Sequence, residues 1–319
     1  MNPEPLRKPV RRSPLALRIV LFTLAGITAL VILIVLVGAL AFTIANRTNG
    51  KVISSGETRR YLLHVPKNID PSQSVPLVIT FHGFAQWPNN QANVSQWNPI
   101  ADREGFIVVY PSGTKFPKRW HASAEQGEAL EKDLTFINDL INEMQSEYNI
   151  DPSRIYANGL SNGAGMTFLL GCRLSDRIAA IGGVGGAYTY PFDRCEPARP
   201  VPMIVFHGNV DPIVPYYGGP SRDFDIPFPS IPVWIGQRAS LNGCDPTPSL
   251  LPANGAVTGV RYSDCDAGAE VVFYTIDGGG HTWPGGNPLP ERITGETNMD
   301  ISASETMWKF FQQYSLPPQ

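Results

Sequence analysis

Short apolar runs alternate with segments of helical periodicity along most of this 319-residue chain. The alternation predicts strands separated by helices, which is the order of elements in an α/β fold. Several of the runs are apolar throughout, as is typical of parallel strands buried on both faces. We therefore predict a mostly parallel sheet with helices on both faces. The predicted strands are residues 61–65, 77–81, 106–110, 154–157, 179–184, 203–206 and 271–276.

Two segments have the clearest helical pattern. Over residues 130–148, apolar side chains recur every three or four positions and charged side chains fall between them. Near the C-terminus, Ser302 and Glu305 have the spacing of a capping box ahead of an apolar stripe that begins at Met307. Both segments are predicted to be helices that pack against the sheet.

Residues 19–45 form a different kind of segment, with 27 positions that contain no charge and no proline. A helix of this length reaches roughly 40 Å at ~1.5 Å per residue, enough to cross a hydrocarbon core of about 30 Å. Basic residues cluster before it, so we predict that residues 1–18 are cytoplasmic and that the rest lies outside the membrane. The alternative is a cleaved signal peptide and a secreted protein, because small residues occur at Ala39, Ala41 and Ala45.

The chain is therefore predicted to have four parts. Residues 1–18 are a basic cytoplasmic segment, 19–45 a transmembrane anchor, 46–56 a polar linker, and 57–319 one α/β domain. Residues 212–256 are rich in proline, glycine and serine, and we interpret them as an elaborated loop that shapes a cleft.

The charge distribution argues against binding to nucleic acid. Residues 1–50 contain six basic residues and one acidic residue, so the remainder has a net charge of about −8. An acidic domain repels a polyanion, and the sequence shows no basic stripe with interleaved aromatic residues.

The four cysteines all follow the apolar segment. An even number in an exported domain favours disulfides, although four cysteines allow three connectivities. We predict the two local pairs, Cys172 with Cys195 and Cys244 with Cys265. Structural zinc is disfavoured because no two cysteines have the close spacing of its usual ligands.

The strongest candidate for chemistry is the pentapeptide Gly-Leu-Ser-Asn-Gly at residues 159–163. It follows a predicted strand and precedes a helical stretch at 164–174, which is the context in which G-x-S-x-G forms a tight turn that exposes a nucleophilic serine. Glycine on either side leaves room for that turn. The simpler interpretation, a glycine-rich turn with a solvated serine, has to be weighed against the rest of the sequence.

A serine nucleophile needs a base, and histidine has a suitable pKa. His281 lies in a glycine-rich loop directly after the strand predicted at 271–276, where open α/β folds place their sites. We interpret His207 as a structural turn residue, and His64 and His121 as core or surface residues.

The imidazole in turn needs a carboxylate, and Asp211 follows the strand predicted at 203–206. Its simpler interpretation is a turn aspartate before proline. The chain order Ser161, Asp211, His281 is the order of the catalytic triad in α/β-hydrolases. For the oxyanion of the tetrahedral intermediate, the predicted backbone donors are the amides of Asn162 and Phe84.

These motifs together resemble the polyhydroxybutyrate depolymerase and feruloyl esterase family, over roughly residues 55–315. The motifs that match are His-Gly at 82–83, Trp-Asn at 97–98, Ala-Asp-Arg-Glu-Gly-Phe at 101–106, the pentapeptide at 159–163, the segment 207–216 and the segment 279–285. The resemblance implies an α/β-hydrolase fold, with Ser161, Asp211 and His281 as the triad. The paired cysteines also resemble disulfides of that family. Two features depart from it, namely Phe84 after the His-Gly pair and the membrane anchor.

The predicted function is hydrolysis of a carboxylic ester through an acyl-enzyme, without a metal or an organic cofactor. The resemblance implies a small or polymeric ester, either a hydroxyalkanoate oligoester or an aromatic ester on plant polysaccharide. Trp87, Trp234 and Trp283 are candidates to line the cleft. Two alternatives remain: an acyltransferase of the cell envelope with the same triad, and a surface binding protein with an inactive hydrolase fold.

Overall fold

The computed structural model describes residues 14–221 and 227–317. The chain divides into two compact units, Met1–Asn46 and Arg47–Gln319. In the first unit, helix α1 (Pro14–Ala45) has exposed side chains and contains a stretch, Leu17–Ile44, that is long and apolar enough to cross a membrane. Of the predicted cytoplasmic segment, residues 1–13 lie outside the described part of the chain.

Within the described residues, the second unit has a ten-stranded sheet and a separate two-stranded one. The strands are β1 (Gly50–Ser54), β2 (Glu57–His64), β3 (Val75–Phe81), β4 (Ile107–Pro111), β5 (Ile150–Leu160), β6 (Ala180–Val184), β7 (Met203–Gly208), β8 (Gly219–Pro220), β9 (Pro227–Phe228), β10 (Ser249–Asn254), β11 (Val257–Tyr262) and β12 (Val271–Ile276). The helices are α2 (Pro88–Ser95), α3 (Trp97–Glu104), α4 (Gly127–Glu147), α5 (Asn162–Arg173), α6 (Ile231–Leu241), α7 (Glu291–Thr294) and α8 (Ala303–Phe311).

The large sheet has the order β1-β2-β4-β3-β5-β6-β7-β12-β11-β10. Its six central strands, from β4 to β12 in this order, are parallel. The two outer strands on each side are antiparallel to their neighbours. The parallel centre brings the carboxyl ends of β5, β6, β7 and β12 together at one edge, where ligand sites form in open α/β sheets.

The two faces of the sheet bury separate cores. Leu77, Ile79 and Phe81 of β3 pack in one apolar cluster with residues of α4, α5 and α6, whereas Val78 belongs to a second cluster with residues of α3 and α8. Alternate residues of one strand thus serve opposite faces, as the pleat requires. The predicted α/β-hydrolase fold, with helices on both faces of a mostly parallel sheet, is confirmed.

All seven predicted strands are present, with ends that differ by up to four residues. The helix predicted at 130–148 is α4, and the one predicted to follow Ser302 is α8. Ser302 does cap α8, because its side chain accepts a hydrogen bond from the amide of Glu305.

Two segments have more regular structure than the sequence predicts. The predicted linker 46–56 contains β1, which pairs with β2 through a turn in which Ser55 and Gly56 both have positive φ. Residues 212–256 contain α6 and β10 in addition to loop, and β10 pairs with β11 to form the antiparallel edge. Both strands were missed because a short hairpin at a sheet edge shows little apolar periodicity. Residues 222–226 lie outside the described chain.

Candidate active site

Ser161 occupies the tight turn between β5 and α5. Its backbone has φ 57° and ψ −120°, a strained conformation for a residue other than glycine. A β-carbon on Gly159 would lie 2.5 Å from the carbonyl carbon of Gly163, and one on Gly163 would lie 2.4 Å from the backbone oxygen of Phe81. The turn therefore needs glycine at both positions. The strand, turn and helix predicted from the pentapeptide are all present.

Asp211 and His281 form a hydrogen-bonded pair on the loops that follow β7 and β12. Nδ1 of His281 lies 2.7 Å from Oδ2 of Asp211. The other oxygen of the carboxylate, Oδ1, accepts hydrogen bonds from the amides of Ile213 and Val214, each at 2.8 Å. Burial by itself raises the pKa of Asp211, but His281, His207 and the backbone amide of Val214 together offset it, and the net shift of the pKa is downward. The carboxylate is thus held in its ionised form beside the imidazole.

His207 lies next to this pair, but it is not one of the three predicted triad residues. Its Nε2 donates to the backbone oxygen of Val214 at 2.9 Å and lies 3.4 Å from Oδ2 of Asp211. Burial lowers the pKa of His207, so the ring is neutral at neutral pH. It has the structural role predicted, since it holds the turn that carries Asp211.

Glycines allow the loop of His281 to approach its neighbours closely. A β-carbon on Gly280 would lie 2.1 Å from the backbone oxygen of Thr294, and one on Gly208 would lie 2.1 Å from that of Gly279. The chain therefore needs these glycines to bring the imidazole over the sheet edge.

Gly185, which the sequence analysis did not single out, also borders the pair. It follows β6 with φ +53°, and a β-carbon there would lie 3.0 Å from Nδ1 of His281 and 3.5 Å from Oδ2 of Asp211. The available signal was the run of glycines at the end of a predicted strand, at 182, 183, 185 and 186. A larger residue at this position would displace the imidazole.

The loop after β3 lies against the nucleophile. A β-carbon on Gly83 would be 3.4 Å from Cβ of Ser161, and the Gly83 amide donates to Oε1 of Gln86 at 3.1 Å. Asn162 is the first residue of α5, where a backbone amide has no acceptor within its own helix. Both predicted oxyanion donors, Phe84 and Asn162, therefore belong to segments next to Ser161, and their role stays a prediction.

Trp120 connects the two segments that would supply the oxyanion donors. Its indole Nε1 donates to the backbone oxygen of His82 at 3.1 Å. Its backbone amide donates to Oδ1 of Asn162 at 2.7 Å, and its backbone oxygen accepts from Nδ2 of the same side chain at 3.0 Å. Sequence reasoning missed this residue because no local motif indicates such a long-range contact.

His82, whose backbone oxygen accepts the bond from Trp120, has a neutral imidazole ring. Burial lowers its pKa to about 4. Its Nδ1 donates to the backbone oxygen of Gly83 at 2.8 Å, and its Nε2 accepts from the amide of Gly113 at 3.0 Å. The ring therefore needs its proton on Nδ1 only, which agrees with the lowered pKa.

The remaining two histidines bind carboxylates away from Ser161. His121 is buried and its Nδ1 lies 2.8 Å from Asp133, which also binds Arg59 at 2.8 Å. His64 is a partly exposed residue whose Nε2 lies 2.8 Å from Asp102. Both agree with their interpretation as core or surface residues.

Two cavities meet at Ser161. The larger has a volume of about 580 Å³ and is lined by Ser161 and His281 together with apolar side chains such as Leu289 and Ile293. The smaller, of about 210 Å³, extends from Ser161 to Phe228. A third cavity of about 860 Å³ continues from the second, with which it shares the lining residues Ser123, Gln126, Thr189 and Phe228.

The three candidate tryptophans have different environments. Trp234 lines the third cavity and stacks on Tyr188, with ring centroids 3.7 Å apart. Trp283 is buried and donates to the hydroxyl of Ser304 at 3.0 Å. Trp87 precedes the first residue of α2. Trp234 therefore belongs to the buried core and also borders a cavity, whereas Trp283 belongs to the core.

Both predicted disulfides are present, Cys172 with Cys195 and Cys244 with Cys265. The first links α5 to the segment before β7, and the second links the residues that follow α6 to the segment before β12. Among the residues that the structure describes, no group of three or more histidine, cysteine, aspartate or glutamate side chains is arranged to hold a metal ion.

Comparison with known proteins shows that this chain is similar to esterases. Residues 60–191 match the family model described as esterase PHB depolymerase. The putative esterase NocK of Nocardia uniformis subsp. tsuyamanensis is 27% identical over 286 residues, which cover 83% of each chain. Feruloyl esterase B of Piromyces equi is 30% identical over 274 residues, or 81% of this chain and 46% of that protein. Poly(3-hydroxyalkanoate) depolymerase C of Paucimonas lemoignei is 28% identical over 250 residues, or 69% of this chain and 58% of that one.

This chain thus spans about half the length of the latter two relatives. Solved structures share its fold. An acetyl xylan esterase from Aspergillus awamori has a TM-score of 0.57 at 18% identity, covering 82% of this chain and 98% of that one. A thermostable esterase has a TM-score of 0.54 at 20% identity, covering 86% and 64%. The predicted resemblance to the polyhydroxybutyrate depolymerase and feruloyl esterase family is confirmed.

Proposed function

We propose that this chain, a carboxylic ester hydrolase by its relatives and its fold, cleaves its substrate through a covalent acyl-enzyme on Ser161. The observation that supports this most directly is the hydrogen bond of 2.7 Å between His281 and Asp211, beside a cavity that His281 shares with Ser161. The strained turn at Ser161 is the second support, because it places this side chain at the edge of the sheet, where Ser161 lines both cavities.

In the first half of the reaction, the hydroxyl oxygen of Ser161 bonds to the ester carbonyl carbon while Nε2 of His281 takes its proton. Asp211 holds the other ring nitrogen, Nδ1, in its protonated form and stabilises the imidazolium. The amides of Asn162 and Phe84 are the proposed donors to the oxyanion, and each donor of this kind lowers a barrier by roughly 3 to 4 kcal/mol.

The tetrahedral intermediate then collapses. The bond between the carbonyl carbon and the alkoxy oxygen breaks, and His281 gives its proton to the departing alcohol. In the second half, water takes the place of the alcohol, and its oxygen bonds to the acyl carbon while His281 takes its proton. The bond between the acyl carbon and the serine oxygen then breaks, and His281 gives that proton to Ser161 as the acid leaves. The balance is one ester and one water converted to one acid and one alcohol, with no cofactor.

For substrate, the named relatives suggest two classes, hydroxyalkanoate oligoesters and feruloyl esters. The cavities at Ser161 are lined by both apolar and polar side chains, so both classes belong in the first panel of substrates. Acetate to octanoate esters of 4-nitrophenol test the length of the acyl group.

The test compares the full-length chain in detergent with its Ser161→Ala variant on this panel. We expect the variant to lose at least about 10³-fold in kcat. Ser146→Ala is the matched control, because Ser146 is exposed on α4 and bonds only to the backbone oxygen of Glu143 among the described residues. Comparable rates for Ser161→Ala and wild type would exclude Ser161 from the mechanism.

Two further results would redirect the proposal. If an added alcohol converts most of the acyl-enzyme to a new ester instead of acid, the chain acts as an acyltransferase. If wild type neither hydrolyses the panel nor reacts with a fluorophosphonate, it is a binding protein with an inactive site.

We also propose that α1 anchors the domain outside the cytoplasmic membrane. Its length and composition support a span, and the two disulfides suit an oxidising compartment. An uncleaved anchor keeps the full-length mass in the membrane fraction after alkaline carbonate extraction. A shorter chain in the soluble fraction would instead show a cleaved signal and a secreted enzyme.

A further inference from the structure

Arg119 lies where the two cavities at the nucleophile meet. It lines both of them, together with Ser161 and Phe84. Its guanidinium carbon lies 5.1 Å from the centroid of the Phe84 ring, within the range of a cation–π contact. Its Nε donates to the backbone oxygen of Pro117 at 3.2 Å. The stem of the side chain is thus held in place beside the site.

The guanidinium has no carboxylate partner among the described residues. Other arginines of this domain do have one: Arg59, Arg103, Arg154, Arg173 and Arg261 each lie within 4 Å of an aspartate or glutamate oxygen. The domain is acidic, with a net charge of about −8 after residue 50. Among the described residues, Arg119 is therefore a cation without a carboxylate partner in an acidic domain.

Arg119 is also the one permanently charged residue among the described residues that line these two cavities. Aspartate and glutamate are absent from the described residues of that lining. A half-buried cation in a mostly uncharged cleft is screened less than a cation on the surface, so its attraction for an anion is stronger. The two Nη groups at the end of its planar fork match the two oxygens of a carboxylate.

We propose that Arg119 binds a carboxylate on the substrate, so that the preferred ester has a free carboxylate in its acyl or its alcohol part. The smaller cavity, of about 210 Å³, has room for about seven water-sized groups. Because Arg119 and Ser161 line the same two cavities, we expect only a short chain between the carboxylate and the ester. This inference rests on the proposed function, because it names the class of ester that the same site takes.

The experiment uses two pairs of short esters that differ only in charge. Monoethyl glutarate and its neutral amide, ethyl 4-carbamoylbutanoate, place the group in the acyl part. The anion of 3-acetoxybutanoic acid and the neutral 3-acetoxybutanamide place it in the alcohol part. Hydrolysis by the full-length chain in detergent is followed by alkali uptake at constant, neutral pH.

We expect wild type to prefer the carboxylate of one pair by about 10- to 100-fold in kcat/KM, the range of a hydrogen bond to a charged group. The pair that shows the preference identifies the side of the ester. Arg119→Met, which keeps an apolar stem, should abolish the preference mainly through KM. Arg119→Lys should keep a part of it, because the charge remains and the fork is lost. Added salt should reduce the preference in wild type.

Lys309→Gln is the control for the loss of one positive charge, because Lys309 is exposed on α8. It should leave the preference unchanged. A wild-type preference near one for both pairs overturns the inference, as does an equal preference in wild type and Arg119→Met. If Arg119→Met does not fold, the inference is tested by the carboxylate preference of Arg119→Lys and by the effect of salt on the wild-type preference.

Failure of the proposed function gives a different result. In that case the chain does not hydrolyse 4-nitrophenyl butyrate or either neutral ester at all. The carboxylate site is then tested without turnover, by calorimetric binding of monoethyl glutarate, 3-acetoxybutanoate and their amides to the Ser161→Ala chain. Equal affinity for carboxylate and amide in both pairs overturns the inference.

Discussion

Replacing Asp211 by asparagine should disable His281 while leaving the fold intact. Oδ1 of Asp211 accepts from the amides of Ile213 and Val214, so the side-chain oxygen of asparagine must take that position. The NH2 group of the asparagine then takes the position of Oδ2, which lies 2.7 Å from Nδ1 of His281 in the wild type. Because NH2 only donates, Nδ1 must accept and the ring proton moves to Nε2. A protonated Nε2 cannot take the proton of Ser161.

The expected loss in kcat is about 10⁴-fold, the effect of the same change in triads that keep their geometry. This corresponds to about 5.4 kcal/mol of barrier at 1.36 kcal/mol per decade. KM should change little, since the Asp211 side chain is fully buried and lies behind the imidazole. Hydrolysis of 4-nitrophenyl butyrate at neutral pH measures both constants, with Ser161→Ala as the background.

The melting temperature of Asp211→Asn should stay within a few degrees of wild type, because both backbone hydrogen bonds to the side chain remain. Asp277→Asn is the matched control: it is exposed after β12, and Oδ1 of Asp277 accepts from Asn209 at 2.7 Å. It should leave kcat unchanged. A folded Asp211→Asn variant with a kcat within tenfold of wild type would refute the role of Asp211.

Three other substitutions test structural features that support the site: the turn at Ser161, one disulfide and a hydrogen bond of Trp120. Gly163→Ala places a β-carbon 2.4 Å from a backbone oxygen of β3, so we expect at least about 2 kcal/mol less stability in urea denaturation; unchanged stability would show that the turn relaxes freely. Replacing Cys172 and Cys195 together by alanine should lower the free energy of unfolding by about 3 kcal/mol. A change near zero would show that this disulfide does not stabilise the domain. Trp120→Phe removes the hydrogen bond to His82 and should lower kcat about tenfold with KM unchanged; a change in KM alone would place Trp120 in substrate binding.

The sequence predicts those parts of the site that local geometry determines. Gly159 and Gly163 are needed for a turn that spans five residues, and buried parallel strands show as continuous apolar runs. The order of Ser161, Asp211 and His281 along the chain then suggests that three loops converge. The edge hairpins were missed because their alternation is short and half exposed.

The residues that support the site from a distance could not be predicted in this way. Trp120 and Gly185 contact the site only because β4, β5 and β6 end at the same edge of the sheet. Arg119 stands out only when the residues that line the cavities are known. In each case the information lies in tertiary contacts, which neither periodicity nor spacing records.

The buried ring of His82 sets a limit on how acid can inactivate this enzyme. In an unfolded chain a histidine takes up a proton near pH 6.5, whereas in the folded domain it resists until about pH 4. Folding stability from this group is therefore complete above pH 6.5 and declines steadily between these two values as the medium is acidified. While the domain stays folded, His82 beside the nucleophile loop stays mostly neutral over the upper part of that interval. A loss of activity by the folded domain just below pH 6.5 therefore does not come from protonation of His82.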